Sequence, residues 1–497
     1  MLIVSFSISY TQYWERIYGE NGDCHARSIV QTSDDGFVIV GWKSIYGYSD
    51  VYLMKIDNLG TLCWQKSYGG DNNDFAYSVV ETFDDGYIIV GKTESFDSGP
   101  YGDVYVLKTD SLGNMLWQRT FGGSGVECGN DISQVETGGY IIVGSTSSFG
   151  VGTKNIWLIR LNESGDTIWT RTYGGSSVDY GWSVKQERDG SFILSGGTWS
   201  FGAEECDYYL IKADSTGDII WERTYGGSEL DYGRSVALAL NDGLIMVGSI
   251  FSFTAPDCIW IINVNRDGTI VWERTYGMGF DNYGHSIAQT EDGGHIIAGE
   301  TWGILPLPNL YLLKINADGN TLWERDYGDS SFASGYSVIQ TNDNGYIITG
   351  DIYPFDEDSS RIYVLKTDSL GEIDWVREIP NRPDDISLSV FPNPFNSVCE
   401  ITVPENAKIE IYDLRGNVVA TPCSADKSAS LVPLDKGDRN RAPAKVSGGS
   451  WTNEQSVSGA SRGFIWCPDK SIPSGIYLVR AKTQDGQTKE KKIVYMK

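Results

Sequence analysis

Eight tryptophans recur at near-constant spacing along the first three quarters of the chain. Trp14, Trp64, Trp117, Trp169, Trp221, Trp272, Trp323 and Trp375 stand 50, 53, 52, 52, 51, 51 and 52 residues apart. Four residues after each of the first seven comes an aromatic (Tyr18, Tyr68, Phe121, Tyr173, Tyr225, Tyr276, Tyr327), and each of these is followed by glycine. A repeat of about fifty residues restricts a chain to a ring or a solenoid, because each unit can hide its apolar faces only against its neighbours.

The periodicity inside one repeat is that of strands. Between Tyr173 and Tyr225 lie WSVKQE (182–187), an Asp189-Gly190 turn, SFILSG (191–196), a loop, DYYLIK (207–212), the turn DSTG (214–217) and DIIWERTY (218–225). The second strand is an almost unbroken apolar run, as in YIIVG (87–91), which suits burial on both faces. The third and fourth alternate, as in VYVLK (104–108) and LWQRT (116–120), and are expected nearer the surface. Four antiparallel strands per repeat make one blade, and a ring of blades removes the exposed sheet faces. Seven inner-strand copies, beginning at Arg27, Tyr77, Asp131, Trp182, Arg234, His285 and Tyr336, predict an all-β fold with a seven-bladed β-propeller over 11–380. The outer strand occurs eight times, so either 11–18 or 373–379 completes the last blade.

This order of strands, glycines, DxYLxK segment and tryptophan-bearing outer strand resembles kelch-type and quinoprotein-type propeller repeats. The segment ADSTGDIIW (213–221) is similar to the tryptophan-docking turn of quinoproteins, with one residue fewer between Asp and Gly. The resemblance implies that the eight tryptophans each pack against the next blade. It says nothing of function.

Residues 388–497 read differently. After a proline-bearing linker (381–387) come short alternating strands around Gly, Asn and Pro turns, consistent with a small Ig-like β-sandwich. PNPFN (Pro392, Asn393, Pro394, Phe395, Asn396), IYDLRG with Gly416, PSGIYLV with Gly475 and Tyr477, and a Lys-ending last strand resemble, in this order, the type A sorting domain of type IX secretion cargo. The resemblance implies handling by the type IX secretion machinery and a place outside the cell, secreted or on the outer surface. A Ser-, Gly- and Lys-rich insertion at about 424–463 departs from the family pattern and is expected as a flexible excursion. Residues 1–10 read as the end of a signal leader.

Charge excludes one class of partner. Residues from 381 onward hold 16 Lys+Arg and 13 Asp+Glu, so the remainder holds 39 − 16 = 23 basic and 66 − 13 = 53 acidic residues. A propeller at −30 repels phosphate backbones, and no nucleic-acid partner is expected. No apolar run reaches membrane-spanning length, and a monomer is expected. Five of the eight cysteines lie singly in the repeats and read as buried thiols, while an oxidising compartment permits a Cys423–Cys467 disulfide.

Motifs for catalysis are sparse. The three histidines (His25, His285, His295) read as surface or rim groups, too scattered for a histidine-based metal site. NVNRDGTIVWER (263–274) opens like a calcium loop but ends in Arg274 where a bidentate glutamate belongs. The Asp-box of sialidase-type propellers fails by one residue on each side of its glycine. One constellation remains. Ten residues after the Trp stand Asp74, Glu127, Asp179, Asp231 and Asn282, with Asp23 one place earlier, on loops that enter the ring from one face. They form either an acidic collar for a cation or polar ligand, or turn caps bonded to their own backbone. No cofactor is expected, calcium being the one ion such loops would admit. The most irregular loops of that face, 97–103, 302–309 and 353–360, are where a specific site would be sought. The uniform repeats favour a non-enzymatic module that binds a protein or glycan; a polysaccharide hydrolase or lyase on the same face, or a purely structural surface protein, are the alternatives.

Overall fold

The computed structural model describes residues 13–19, 22–45, 47–96, 101–203, 205–239, 243–251, 256–277, 281–302, 308–328, 332–354 and 359–373, and separate strands within 389–495. The chain divides into two compact units, Met1–Glu378 and Ile379–Lys497.

The first unit consists of seven four-stranded antiparallel sheets. Six are consecutive in sequence, each running from an inner strand, such as Asp74–Glu81, to an outer one, such as Met115–Phe121. The seventh takes Phe332–Gln340, Tyr346–Tyr353 and Arg361–Thr367 from the end of the repeats, and its outer strand is Trp14–Tyr18 from the beginning. This settles which copy of the outer strand closes the ring. Trp14 pairs with Lys366 and Tyr18 with Ile362, so the two ends are hydrogen-bonded into one blade. Trp375, with 374–388, lies outside the described residues.

The blades are joined by the repeated aromatics. Seven tryptophans each stack on the turn glycine of the next blade: Trp64 on Gly113, Trp117 on Gly165, Trp169 on Gly217, and so around the ring to Trp14 on Gly60. These glycines have φ between +73° and +82°, and a Cβ there would lie 2.8 to 3.2 Å from the indole. Glycine is therefore required twice, for the turn and for the contact. Where the aromatic four residues on is a tyrosine, in every blade interface but that of Phe121, its hydroxyl donates to the same glycine's carbonyl, as Tyr173 does to Gly217 at 2.7 Å and Tyr276 to Gly319 at 2.6 Å.

Burial corrects one expectation. The second strands are buried, as their apolar runs predict, but so are the third: Asp103–Thr109 and Asn155–Leu161 are buried at every position. Of these two, only the fourth strand alternates, because the third is covered by adjacent blades on both faces. Its polar positions are absorbed by pairing. Lys108 reaches Asp84 at 2.9 Å and Lys314 reaches Asp292 at 2.9 Å, each carboxylate sitting in the turn between first and second strands.

The second unit contains two antiparallel sheets. One runs in the order Ser389–Phe391, Cys399–Pro404, Ser461–Cys467, Gly449–Glu454, Lys445–Val446, and the other Val418–Ala420, Lys408–Asp413, Gly475–Lys482, Thr488–Tyr495. Gly449–Glu454 falls within the expected flexible excursion yet pairs along Ser461–Cys467. A strand-forming Ser-Trp-Thr run was hidden there by the polar average of the segment. Residues 421–444, with Cys423, lie outside the described residues, as do Pro392–Asn396, Gly416, the leader and the linker. Gly475 opens a strand, and Tyr477, 3% exposed, sits in the same strand opposite Asp413 and Ile493.

Candidate functional site

Each inner strand begins, and each second strand ends, on the face where chain enters from the preceding blade. The residues at this rim and those lining the axis below it make up the candidate site.

The predicted acidic positions lie at this rim, with their oxygens turned into it. Asp74, fully buried, accepts hydrogen bonds from Gly70 N at 2.9 Å, Ser95 Oγ at 2.6 Å and Thr93 Oγ1. Asp179 repeats the pattern with Gly175 N, Ser200 Oγ and Thr198 Oγ1. Glu127 takes Thr146 Oγ1 at 2.9 Å and the amides of Gly123, Ser147 and Ser148. Asp23 accepts Ser360 N at 2.9 Å across the closing interface, and Asn282, 2% exposed, packs against Gly277. These contacts tie the entering loop to the end of the second strand. Among the described residues no group of three His, Cys, Asp or Glu side chains is placed to hold a metal ion.

Asp231 is the exception. It accepts Gly227 N at 2.9 Å through one oxygen, and its other oxygen is buried without a partner. Asp207 of the preceding blade has one oxygen in the same condition. Both crowd Gly226, where an added Cβ would collide with the two carboxyls. Burial, with the charge of Asp207 added, pushes Asp231 up to about 6.

What the sequence analysis did not anticipate is an aromatic belt at the same rim. Tyr180, Trp199, Tyr232, Phe251 and Tyr283 form a continuous chain of ring contacts at 5.9, 5.6, 5.3 and 5.4 Å. Across the ring, Trp302, Phe332, Tyr353, His25, Trp42 and Phe75 form a second arc. All are half-buried except Tyr353, which is 40% exposed. Most occupy two recurring columns, the inner-strand residue two before the one that leaves the pairing ladder (His25, Phe75, Tyr180, Tyr232, Tyr283) and the end of the second strand (Trp199, Phe251, Trp302, Tyr353), with Trp42 and Phe332 beside them. Blade three, with Cys128 and Ser147 at the equivalent rim positions, interrupts the belt. Parts of the irregular loops (97–100, 303–307, 355–358) lie outside the described residues.

Below the rim, every inner strand carries a β-bulge. Arg27, Tyr77, Asn130, Trp182, Arg234, His285 and Tyr336 drop out of the pairing ladder there. The strands thus start three or four residues before the expected positions, because a bulge breaks the alternation by which a strand start is read. The bulge residues meet one another: Arg27 lies 4.1 Å from the Tyr336 ring, Arg234 5.1 Å from Trp182, and His285 5.1 Å from Tyr336. Just beyond the bulge, side chains cap the free edge of the neighbouring inner strand, as Ser28 accepts Val79 N and Asp131 accepts Val184 N.

Of the histidines read as surface or rim groups, His25 lies at the rim, while His285 and His295 lie inside the blades' ring and core. His25 is held between Asp351, at 2.7 Å from Nδ1, and Ser360 Oγ, at 3.0 Å from Nε2. His295 is 1% exposed in a second strand, and burial lowers it to about 4. His285 lines the axis. Of the repeat cysteines, Cys24 and Cys206 are buried thiols as expected, whereas Cys63 is exposed on an outer strand.

Comparison with known proteins bears on the second unit. Residues 389–435 match the family described as the secretion system C-terminal sorting domain. The chain carries a secretion-system sorting tail. That tail marks a protein secreted or attached to the outer cell surface and implies handling by the type IX secretion machinery. No curated protein matches the chain. Among solved structures, the crystal structure of Sqt1 from Chaetomium thermophilum is similar at 11% identity, with 67% of this chain and 82% of that one covered and a TM-score of 0.41. An ACO/RPE65 chimera gives 12%, 73%, 94% and 0.38. Likenesses this distant carry no argument about what the ring does.

Proposed function

We propose that this protein is a non-enzymatic binding module of the cell exterior that takes a glycan at the aromatic mouth of its propeller, exported through a C-terminal unit that packs as an Ig-like sandwich. The observation that carries the reading is the belt from Tyr180 to Tyr283. Five rings in mutual contact, half open to solvent on a rigid scaffold, offer apolar faces with polar edges, and sugars stack on such surfaces while their hydroxyls stay hydrated. Six of seven blades contribute to the rim, which suits an extended, repetitive ligand. The hydrolase alternative would need a carboxyl pair open to the mouth, and the pair with a raised pKa, Asp207 and Asp231, is 2% and 3% exposed.

Isothermal titration of the full chain with a panel of neutral and acidic oligosaccharides tests this. At least one should bind, and Trp199→Ala should weaken it about tenfold, roughly 1.4 kcal/mol, while leaving the melting temperature within a few degrees. A panel without a binder, or affinity untouched by Trp199→Ala, sinks the glycan reading in favour of a protein partner or a structural role.

A further inference from the structure

The axis holds two arginines at equivalent bulge positions, and only one is matched by a carboxylate. Arg27 donates to Asp351 at 2.9 Å. Asp351 directly follows Gly350, the residue that pairs with the inner strand just before its bulge in the preceding blade. In the blade preceding Arg234 the same place, after Gly196, is Gly197. The repeat that supplies a counter-charge to Arg27 therefore supplies none to Arg234. Among the described residues Arg234 makes no ion pair and faces the Trp182 ring. The carboxylate whose charge reaches it, Glu300, is bonded by Ser334 Oγ.

Two neighbouring polar atoms are also unmatched. Trp182 Nε1 and His285 Nε2 are buried without a hydrogen-bond partner. An indole N–H can only donate. Burial and the charges of Arg234 and Arg27 lower His285 to about 3, so its imidazole is neutral and retains one N–H. Burial likewise pulls the Arg234 guanidinium below its ordinary value, as for any cation taken from water without a partner. An unpaired cation, an orphaned indole N–H and a neutral imidazole in one stretch of the axis are completed by an acceptor of negative charge.

We infer that the axial channel at blades four to six is an anion site, built from Arg234 with Trp182 and His285, and that its occupant is the carboxylate or sulfate of an acidic sugar. The sugar as the source of the anion rests on the glycan reading above; the anion site does not.

The test uses the full chain, with trigalacturonate, its uncharged methyl ester and free sulfate at constant ionic strength. The acid should bind at least tenfold more tightly than the ester, and Arg234→Gln should abolish the difference. Gly197→Asp, which restores to Arg234 the counter-charge Arg27 already has, should do the same in a folded chain even where the arginine variant is unstable. The indole N–H resonance of Trp182, identified by Trp182→Phe, should move on adding sulfate in the wild type and stay still in both variants. A resonance that sulfate leaves in place, with acid and ester bound alike, overturns the anion site and leaves the glycan mouth standing. A resonance moved by sulfate in a chain that binds no oligosaccharide supports the anion site and overturns the sugar as its source.

Discussion

Asp231 shows how one residue departs from its repeat. Asp50 and Asp74 crowd Gly69 in the same way, but both oxygens of Asp74 are bonded by hydroxyls, and the place of Asp207 is taken by Asn155 in the blade before Asp179; here Asp207 faces Asp231 with one oxygen of each buried and unpartnered. A carboxyl whose folded pKa is raised makes the folded state hold its proton longer. Stability therefore falls as pH rises from the unfolded value near 4 to the folded value of about 6, and stays lower above it. Asp231→Asn keeps the acceptor for Gly227 N and adds a donor toward Asp207. It should raise the unfolding free energy at pH 7.5 by roughly 1–3 kcal/mol and change little at pH 4. Melting curves at the two pH values check this, and a variant less stable at pH 7.5 would refute the account of two crowded carboxylates.

At the scale of elements, the working joint is the tryptophan on a glycine turn. Gly217 has φ +82°, and a Cβ there would sit 2.7 Å from Arg171 Cγ and 2.8 Å from the Trp169 ring. Gly217→Ala should therefore cost roughly 1–3 kcal/mol through backbone strain and loss of the stack, read as a lower urea midpoint. An unchanged midpoint would mean that the indole can shift freely, contrary to its packing. The same joint explains what could be read beforehand. Trp, aromatic and Gly recur because each blade must present an identical surface to the next, so the architecture is written as a period. The bulge residues, by contrast, are the variable column of an otherwise uniform repeat. That variability is the sequence signal that singles out Arg27, Trp182, Arg234 and His285.

For the whole molecule, the decisive element is the first described strand. Trp14 is fully buried, donates through Nε1 to Asn58 O at 3.1 Å and bridges the first and last blades. Trp14→Ala should cost about 3–5 kcal/mol, and removal of residues 1–19 should open the ring to proteolysis at Arg361–Thr367. Denaturation midpoints and limited digestion measure both. Retention of the wild-type midpoint after truncation would show that the competing copy at 373–379 can take the same place.

By itself the sequence determined the number of blades, the order of strands in each, the glycines that turns require and the sorting tail, because all of these are local patterns or repeats of them. Only the tertiary structure decided which copy of the outer strand closes the ring, that the third strands are buried on both sides and that Asp74, Glu127 and Asp179 bond their own loops. It also brought the aromatics of different blades into one belt and left Arg234 without the partner that Arg27 has. The physical reason is common to these outcomes. Each depends on residues from blades far apart in the chain, and burial, pairing and charge compensation are set by that meeting, which a fifty-residue period does not encode.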